Sequence, residues 1–319
     1  MTASPLPTDQ RPTIRATRPG DVLGVIPYLL GFLPGEDVVV VLMARSTVVL
    51  TARTDLASVT SVSALVEMVE DLADLHGADS VVVVGYHPEP EPVTRLLEGL
   101  PERLDGVRVV DLLRVDGERW WSLLCRSGCC PPEGTPYDVP GSRTAAEAVW
   151  AGLTTLPSRD ELRRITEAPQ DRLEERRALF DAVAGELLPA RRGLPRRTLR
   201  LVERCLAAGG PPGERECAEL AVAMYDMDVR HEVWAAQSRP TAPAAVALWA
   251  RVAQQSVDPF RTAPLCQLAT SAWLSGDGAL MSVCLESLAV TDPDARLVST
   301  LDMIQRLALP PSWWEQGTA

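Results

Sequence analysis

Residues 80–86 read Ser-Val-Val-Val-Val-Gly-Tyr, apolar on both faces of an extended chain. Four successive valines favour a strand, because β-branched side chains fit the pleat better than a helical turn. A strand with no polar face has to be covered on both sides. That demand is met by a sheet with crossover helices, not by a hairpin with one wet face. The flanking patterns supply such covers. Val62, Leu65, Val66, Val69, Leu72 and Leu75 recur at helical spacing before the strand, and Gly77 closes that run. Residues 92–100 predict another helix after it, followed by strands over Val107 to Leu113 and Glu118 to Leu124.

Upstream, Thr13 to Ala16 has the pattern of a short strand, and Asp21 is placed to cap a helix running through Leu30 to Gly31. Asp37 to Ala44 and Thr47 to Arg53 are β-branched runs joined by Arg45-Ser46, which predicts a hairpin. Arg-Ser is not a favoured two-residue turn, which leaves a longer loop as the alternative. Strands alternating with helices define an α/β domain over 12–145, with the hairpin making its sheet mixed rather than purely parallel. Residues 1–11 are polar and proline-containing, the composition of a disordered lead.

From Thr144 the strand pattern stops. Helices are expected near 144–153, 158–167, 171–188, 196–208, 214–224, 229–236, 243–254, 262–275, 278–290 and 294–307, with breaks at glycines and prolines. The fold class is thus α/β + all-α: a mixed-sheet domain, then a helical bundle or repeat-like helical domain over 146–319. Leu268 to Pro293, a helix, a Gly-Asp-Gly turn and a second helix, resembles one tetratricopeptide unit, but no further copy at that period is found. Trp150, Trp234, Trp249 and Trp273 are expected as core anchors rather than a stacking platform. Trp313-Trp314 would pin the C-terminal segment onto the helices or meet a partner.

Charge narrows the function classes. The 319 residues carry a formal net charge of −12, and every basic residue other than histidine is arginine. This balance argues against broad nucleic-acid binding or an anionic membrane surface. No run approaches the roughly 18 apolar residues of a membrane helix. The opening residues lack the basic and apolar regions of a secretory signal, so a cytoplasmic protein is expected. Arg191, Arg192, Arg196, Arg197, Arg200 and Arg204 form a local cationic run, either a solvated helix face or a phosphate contact.

Side-chain chemistry is densest over 119–140. Trp120 and Trp121 precede Cys125, Cys129 and Cys130, and a proline-rich loop follows with Glu133, Tyr137 and Asp138. Thiolates at Cys125, Cys129 and Cys130 would supply part of a zinc site, with His87 or His76 completing the shell. A reactive thiol beside Arg126, a nucleophile, or simple packing of the loop on the tryptophans are the other readings. No cofactor is otherwise indicated, since no glycine-rich phosphate loop follows any strand. In open α/β sheets ligands bind beyond the carboxyl ends of strands. That places Tyr86 and His87 there, with Arg53 and Asp55 beside them if those strands run parallel. The ligand-binding candidates are therefore Arg53, Asp55, Tyr86, His87, Trp121 and Tyr137, with His87 and Glu133 as possible bases.

Several segments together resemble a known family. They are the stretch from Thr13 through Pro34, Thr51-Ala-Arg-Thr-Asp-Leu56, the Trp-Trp-Ser around Trp121, Cys129-Cys-Pro-Pro-Glu-Gly-Thr-Pro-Tyr137, and the later Ser-Gly-Asp-Gly-Ala-Leu. In these the chain is similar to domain-of-unknown-function family 4192, found mainly in actinobacteria. The resemblance implies such a source and supplies no activity. With no complete catalytic constellation in view, the leading expectation is a non-catalytic interaction or regulatory protein whose helical half binds a protein partner. The alternative is an enzyme or small-molecule-binding protein with a pocket at the strand ends and the 125–138 loop.

Overall fold

The first helix, α1 (Pro19–Leu30), starts one turn earlier than expected, with Pro19 in its first turn where a missing N–H costs nothing. Asp21 is not the cap. It lies inside the first turn and reaches back to accept the N–H groups of Thr17 (2.9 Å) and Arg18 (3.1 Å). This computed structural model describes residues 14–126, 128, 130–292 and 296–317. The expected strand at Thr13 to Ala16 does not form over 14–16, and Thr13, like the lead over 1–11, lies outside the described residues.

A hairpin follows, β1 (Asp37–Ala44) and β2 (Thr47–Asp55), with a bulge after Leu42. Its turn is the tight Arg45-Ser46 pair after all, both residues at positive φ (49° and 67°). The cost of that backbone is offset from afar: the Arg45 N–H donates to the Asp79 carboxylate at 2.9 Å. Next come α2 (Val62–His76), β3 (Ser80–Tyr86), α3 (Pro90–Leu97), β4 (Arg108–Val115) and β5 (Arg119–Ser122). A two-residue strand, β6 (Thr135–Pro136), and α4 (Arg143–Trp150) complete the first unit.

The six strands lie in the order β2-β1-β3-β4-β5-β6. β3 and β4 are parallel, and every other neighbouring pair is antiparallel. The sheet is mixed, as the sequence pattern requires. β3 is buried along its whole length, and Val38 to Leu42 of β1 beside it are almost fully inaccessible. Gly85 interrupts the valines because α3 crosses close by; a methyl group there would overlap the Val93 side chain.

The chain divides into two compact units, one ending at Arg159 and the other beginning at Asp160. α4, expected at the start of the helical half, packs instead on α1 and belongs with the sheet. The second unit contains α5 (Arg159–Arg163), α6 (Leu173–Leu187), α7 (Leu194–Ala208), α8 (Glu214–Ala223), α9 (Met227–Ala235), α10 (Ala242–Gln255), α11 (Thr262–Leu274), α12 (Gly278–Thr291), α13 (Arg296–Arg306) and α14 (Ser312–Gly317). Every residue of α11 is buried, which makes it the central helix, with α10 and α12 packed along it. Cys205, Cys217, Cys266 and Cys284 are buried in this unit, and burial pushes the Cys217 and Cys266 thiols up to about 12, so they act as small apolar groups. Trp314 sets its ring edge-on to Trp234 (4.7 Å between centroids) and Trp273 (6.0 Å), and its indole N–H donates to the Gln237 carbonyl at 2.9 Å. Trp313 is half exposed. No helix among the described residues is long and apolar enough to cross a membrane.

Candidate functional site

β2, β3 and β4 all point the same way, because β1 is antiparallel to both β2 and β3 while β3 and β4 are parallel. Their carboxyl ends therefore share one edge of the sheet with the starts of β1 and β5. This edge collects most of the chemistry that the sequence singles out, and it sorts that chemistry onto two sides. Gly85 faces α3, so the next residue, Tyr86, faces away from it.

On the Tyr86 side lies a buried polar cluster. Asp37, 2% exposed, accepts the Gly35 N–H at 2.8 Å and forms an ion pair with Arg53. Arg53 also contacts Asp55 at 2.6 Å, and its guanidinium lies 5.9 Å from the centre of the Phe32 ring. Tyr86 and Tyr137 meet edge-to-face with centroids 6.4 Å apart. Among the described residues neither hydroxyl has a hydrogen-bond partner of normal geometry, and Arg53 Nε also lacks one. Burial pushes the Tyr137 hydroxyl up to about 12 and the Tyr86 hydroxyl well above the ordinary tyrosine range, with Tyr137 adding to the latter shift.

These shifts have a pH consequence. Because the folded pKa values are raised, the stability that depends on neutral hydroxyls is complete below pH ~10, the unfolded tyrosine value. It is lost as pH rises through about 12, the Tyr137 value. Absorbance titration should show Tyr86 and Tyr137 ionising only with alkaline unfolding. Tyr86→Phe together with Tyr137→Phe should extend the folded state to higher pH. Ionisation of both tyrosines ahead of unfolding would contradict their burial.

The other side holds an open cleft of ≈ 630 Å³, bordered by the turn after β2, the N-terminus of α2, His87 and α3. Ser61 caps α2 by accepting the Ala64 N–H at 3.1 Å, which leaves the N–H groups of Val62 and Ser63 without helical partners. Arg103 reaches the Ser63 hydroxyl at 3.4 Å, and Arg95 pairs with Glu91 at the rim. Glu36 is the acidic member of the wall. His87 Nδ1 lies 3.0 Å from the Glu89 nitrogen and 3.1 Å from its carbonyl oxygen, so the Glu89 backbone orients the ring in either tautomer.

Trp121 has a packing role. Its ring stacks under the Arg114 guanidinium at 4.2 Å, and its N–H donates to the Pro132 carbonyl at 3.1 Å. Gly134, at φ 81°, lies against the indole so closely that a methyl group would sit 2.5 Å from it. Arg119 donates to the Gly134 carbonyl at 2.8 Å. The proline-rich loop is thereby fastened to β5. Cys125 and Cys130 are half-buried in it, and Cys129 lies outside the described residues. Among the described residues no group of three or more His, Cys, Asp or Glu side chains is placed to hold a metal ion.

The expected ligand set is thus divided. Arg53, Asp55, Tyr86 and Tyr137 gather with Asp37, a residue the sequence reading did not single out. His87 borders the cleft and Glu133 is exposed on the loop, whereas Arg53 pairs with Asp37 and Asp55. Ser61, Arg95 and Arg103 were also missed. The usable signal was Ser61, a cap residue at the start of the helical pattern that follows β2, where an anion-binding helix N-terminus would fall.

The family described as Domain of unknown function (DUF4192) matches residues 19–312, nearly the whole chain, and the chain belongs to that family. No curated protein and no solved structure matches it.

Proposed function

We propose that the chain is a non-catalytic binding protein whose α/β unit holds a small ligand bearing one anionic group, a phosphate or carboxylate. The observation that carries this reading is the cleft at the carboxyl end of β3, which combines the open N–H groups of α2 with Arg95 and Arg103. Its volume is within the range of roughly 300–1,000 Å³ common for small-molecule sites. A helix N-terminus carries partial positive charge, and arginine adds bidentate donors for phosphate or carboxylate. Glu36 and the Glu91 partner of Arg95 limit the positive field, which favours a single anionic group over a polyanion. Within the cleft, the described residues form no nucleophile–base pair: His87 is bound by the Glu89 backbone, and the Ser61 hydroxyl accepts from α2.

Inorganic phosphate is the first probe. It should raise the thermal midpoint in a saturable way, and Arg103→Ala should weaken that binding by about tenfold or more. No shift at phosphate concentrations that saturate a millimolar site, with acetate equally silent, would overturn the reading.

A further inference from the structure

The helical unit carries a groove of its own, separate from the cleft of the α/β unit. α7 turns Leu194, Thr198, Leu201 and Cys205 inward, and its arginines flank that stripe. Together with the end of α6 and with α8 it forms a groove of ≈ 320 Å³. Leu187, Leu194 and Leu201 line it, as do Arg197, Arg200 and Arg204. The three arginines recur at i, i+3 and i+7, the spacing of one helical face.

Ion pairing sets this surface apart. Most exposed arginines of the unit are matched: Arg163 with Glu286, Arg172 with Glu175 and Glu214, Arg215 with Glu186 and Glu219, and Arg191 with Asp226. Arg204 pairs with Glu216 at 3.2 Å. Arg192, Arg196, Arg197 and Arg200 make no ion pair among the described residues, although the chain carries an excess of acid. Like charges at i and i+4, as in Arg196 and Arg200, destabilise a helix. An acidic chain that concentrates unmatched arginines beside an apolar groove has a surface complementary to an external acid.

We propose that this groove binds an acidic amphipathic helical segment of a protein partner. Carboxylates spaced i, i+3, i+7 would pair with Arg197, Arg200 and Arg204, the last exchanging Glu216 for the incoming acid. An apolar side chain of the partner would rest on Leu187, the partly exposed leucine of the groove, above the buried Leu194 and Leu201. The volume suits anchoring side chains, and the apolar floor is wasted on a free phosphate. A nucleic acid would follow the arginines onto a surface whose overall charge of −12 repels it. Glu219 borders the same groove, held by Arg215 at 2.9 Å, and discriminates against strands of continuous negative charge.

The test uses the full chain and a labelled two-heptad peptide repeating Glu-Leu-Ala-Glu-Leu-Ala-Gln, followed by fluorescence anisotropy. Binding should weaken with salt, since exposed charge pairs are screened. Arg197→Glu with Arg200→Glu should cost about tenfold or more in affinity, and the Lys pair at the same positions should retain most of it. These side chains are exposed, so circular dichroism should be unchanged. Arg103→Ala, which disables the cleft, should leave peptide binding intact, separating this surface from the phosphate site. The proposal fails if a Gln-for-Glu peptide binds equally well or if the charge-reversed protein binds unchanged. It also fails if a single-stranded oligonucleotide binds more tightly than the acidic peptide.

Discussion

Asp37→Ala should destabilise the protein by about 3 kcal/mol or more, because removing one partner of a buried ion pair strands the other. Asp37 has a side chain 3% exposed and Arg53 one of 15%, so water reaches neither freely. The carboxylate also accepts the Gly35 N–H, which fixes the turn into β1. Arg53 keeps Asp55 as a partner, but that residue is largely exposed and solvates the guanidinium only from outside. Arg53→Leu in the Asp37→Ala background should recover much of the loss, since the cost arises from an unpaired charge rather than from a missing attraction. Urea unfolding of the parent, the Asp37→Ala and Arg53→Leu single variants and the double variant measures this directly. An Asp37→Ala midpoint near that of the parent would mean that the pair is solvated rather than buried.

Gly134→Ala should rank beside it. An L-residue at φ 81° carries strain of order 1–3 kcal/mol, and overpacking the Trp121 ring adds about 1–3. The sum, about 2–6 kcal/mol, should appear as loss of the loop from β5, read by a change in tryptophan fluorescence and by faster hydrogen exchange over 130–138. Trp121→Ala removes the obstacle. In the double variant the Gly134→Ala increment should shrink to the backbone strain alone. An increment of equal size with and without Trp121 would show that the ring contact contributes nothing.

Much of this fold was legible because its elements carry local periodicity. The valines of β3 demanded two covers, and α2 and α3 announced themselves by helical spacing on either side. The ten helices expected after Thr144 have counterparts from α4 to α13, with boundaries moved by a few residues. What escaped depends on partners distant in sequence. The Arg45-Ser46 turn is tight because Asp79 is waiting for its N–H. α4 is amphipathic, which shows that it has a core but not which one. β6 is two residues long, too short to leave a pattern. At the sheet edge, the Arg53–Asp55 contact followed from proximity in sequence, whereas Asp37 reaches Arg53 only through antiparallel pairing. Arg95 and Arg103 look like ordinary solvated charges until α3 and the segment after it are placed against the start of α2.

The strand order β2-β1-β3-β4 also constrains how the chain can reach its native state. β1 and β2 are neighbours in sequence and need only a two-residue turn, so their pairing closes a short loop and can form early. β3 then docks against β1, the strand farther away in sequence, and must carry α2 across the hairpin to do so. β4 repeats the manoeuvre with α3. Each step encloses a long loop before any contact rewards it, which places the slow part of folding after the hairpin. Without Ser80–Tyr86 in place, the β1 side of the hairpin would be an unpaired apolar edge, open to the same pairing from another chain.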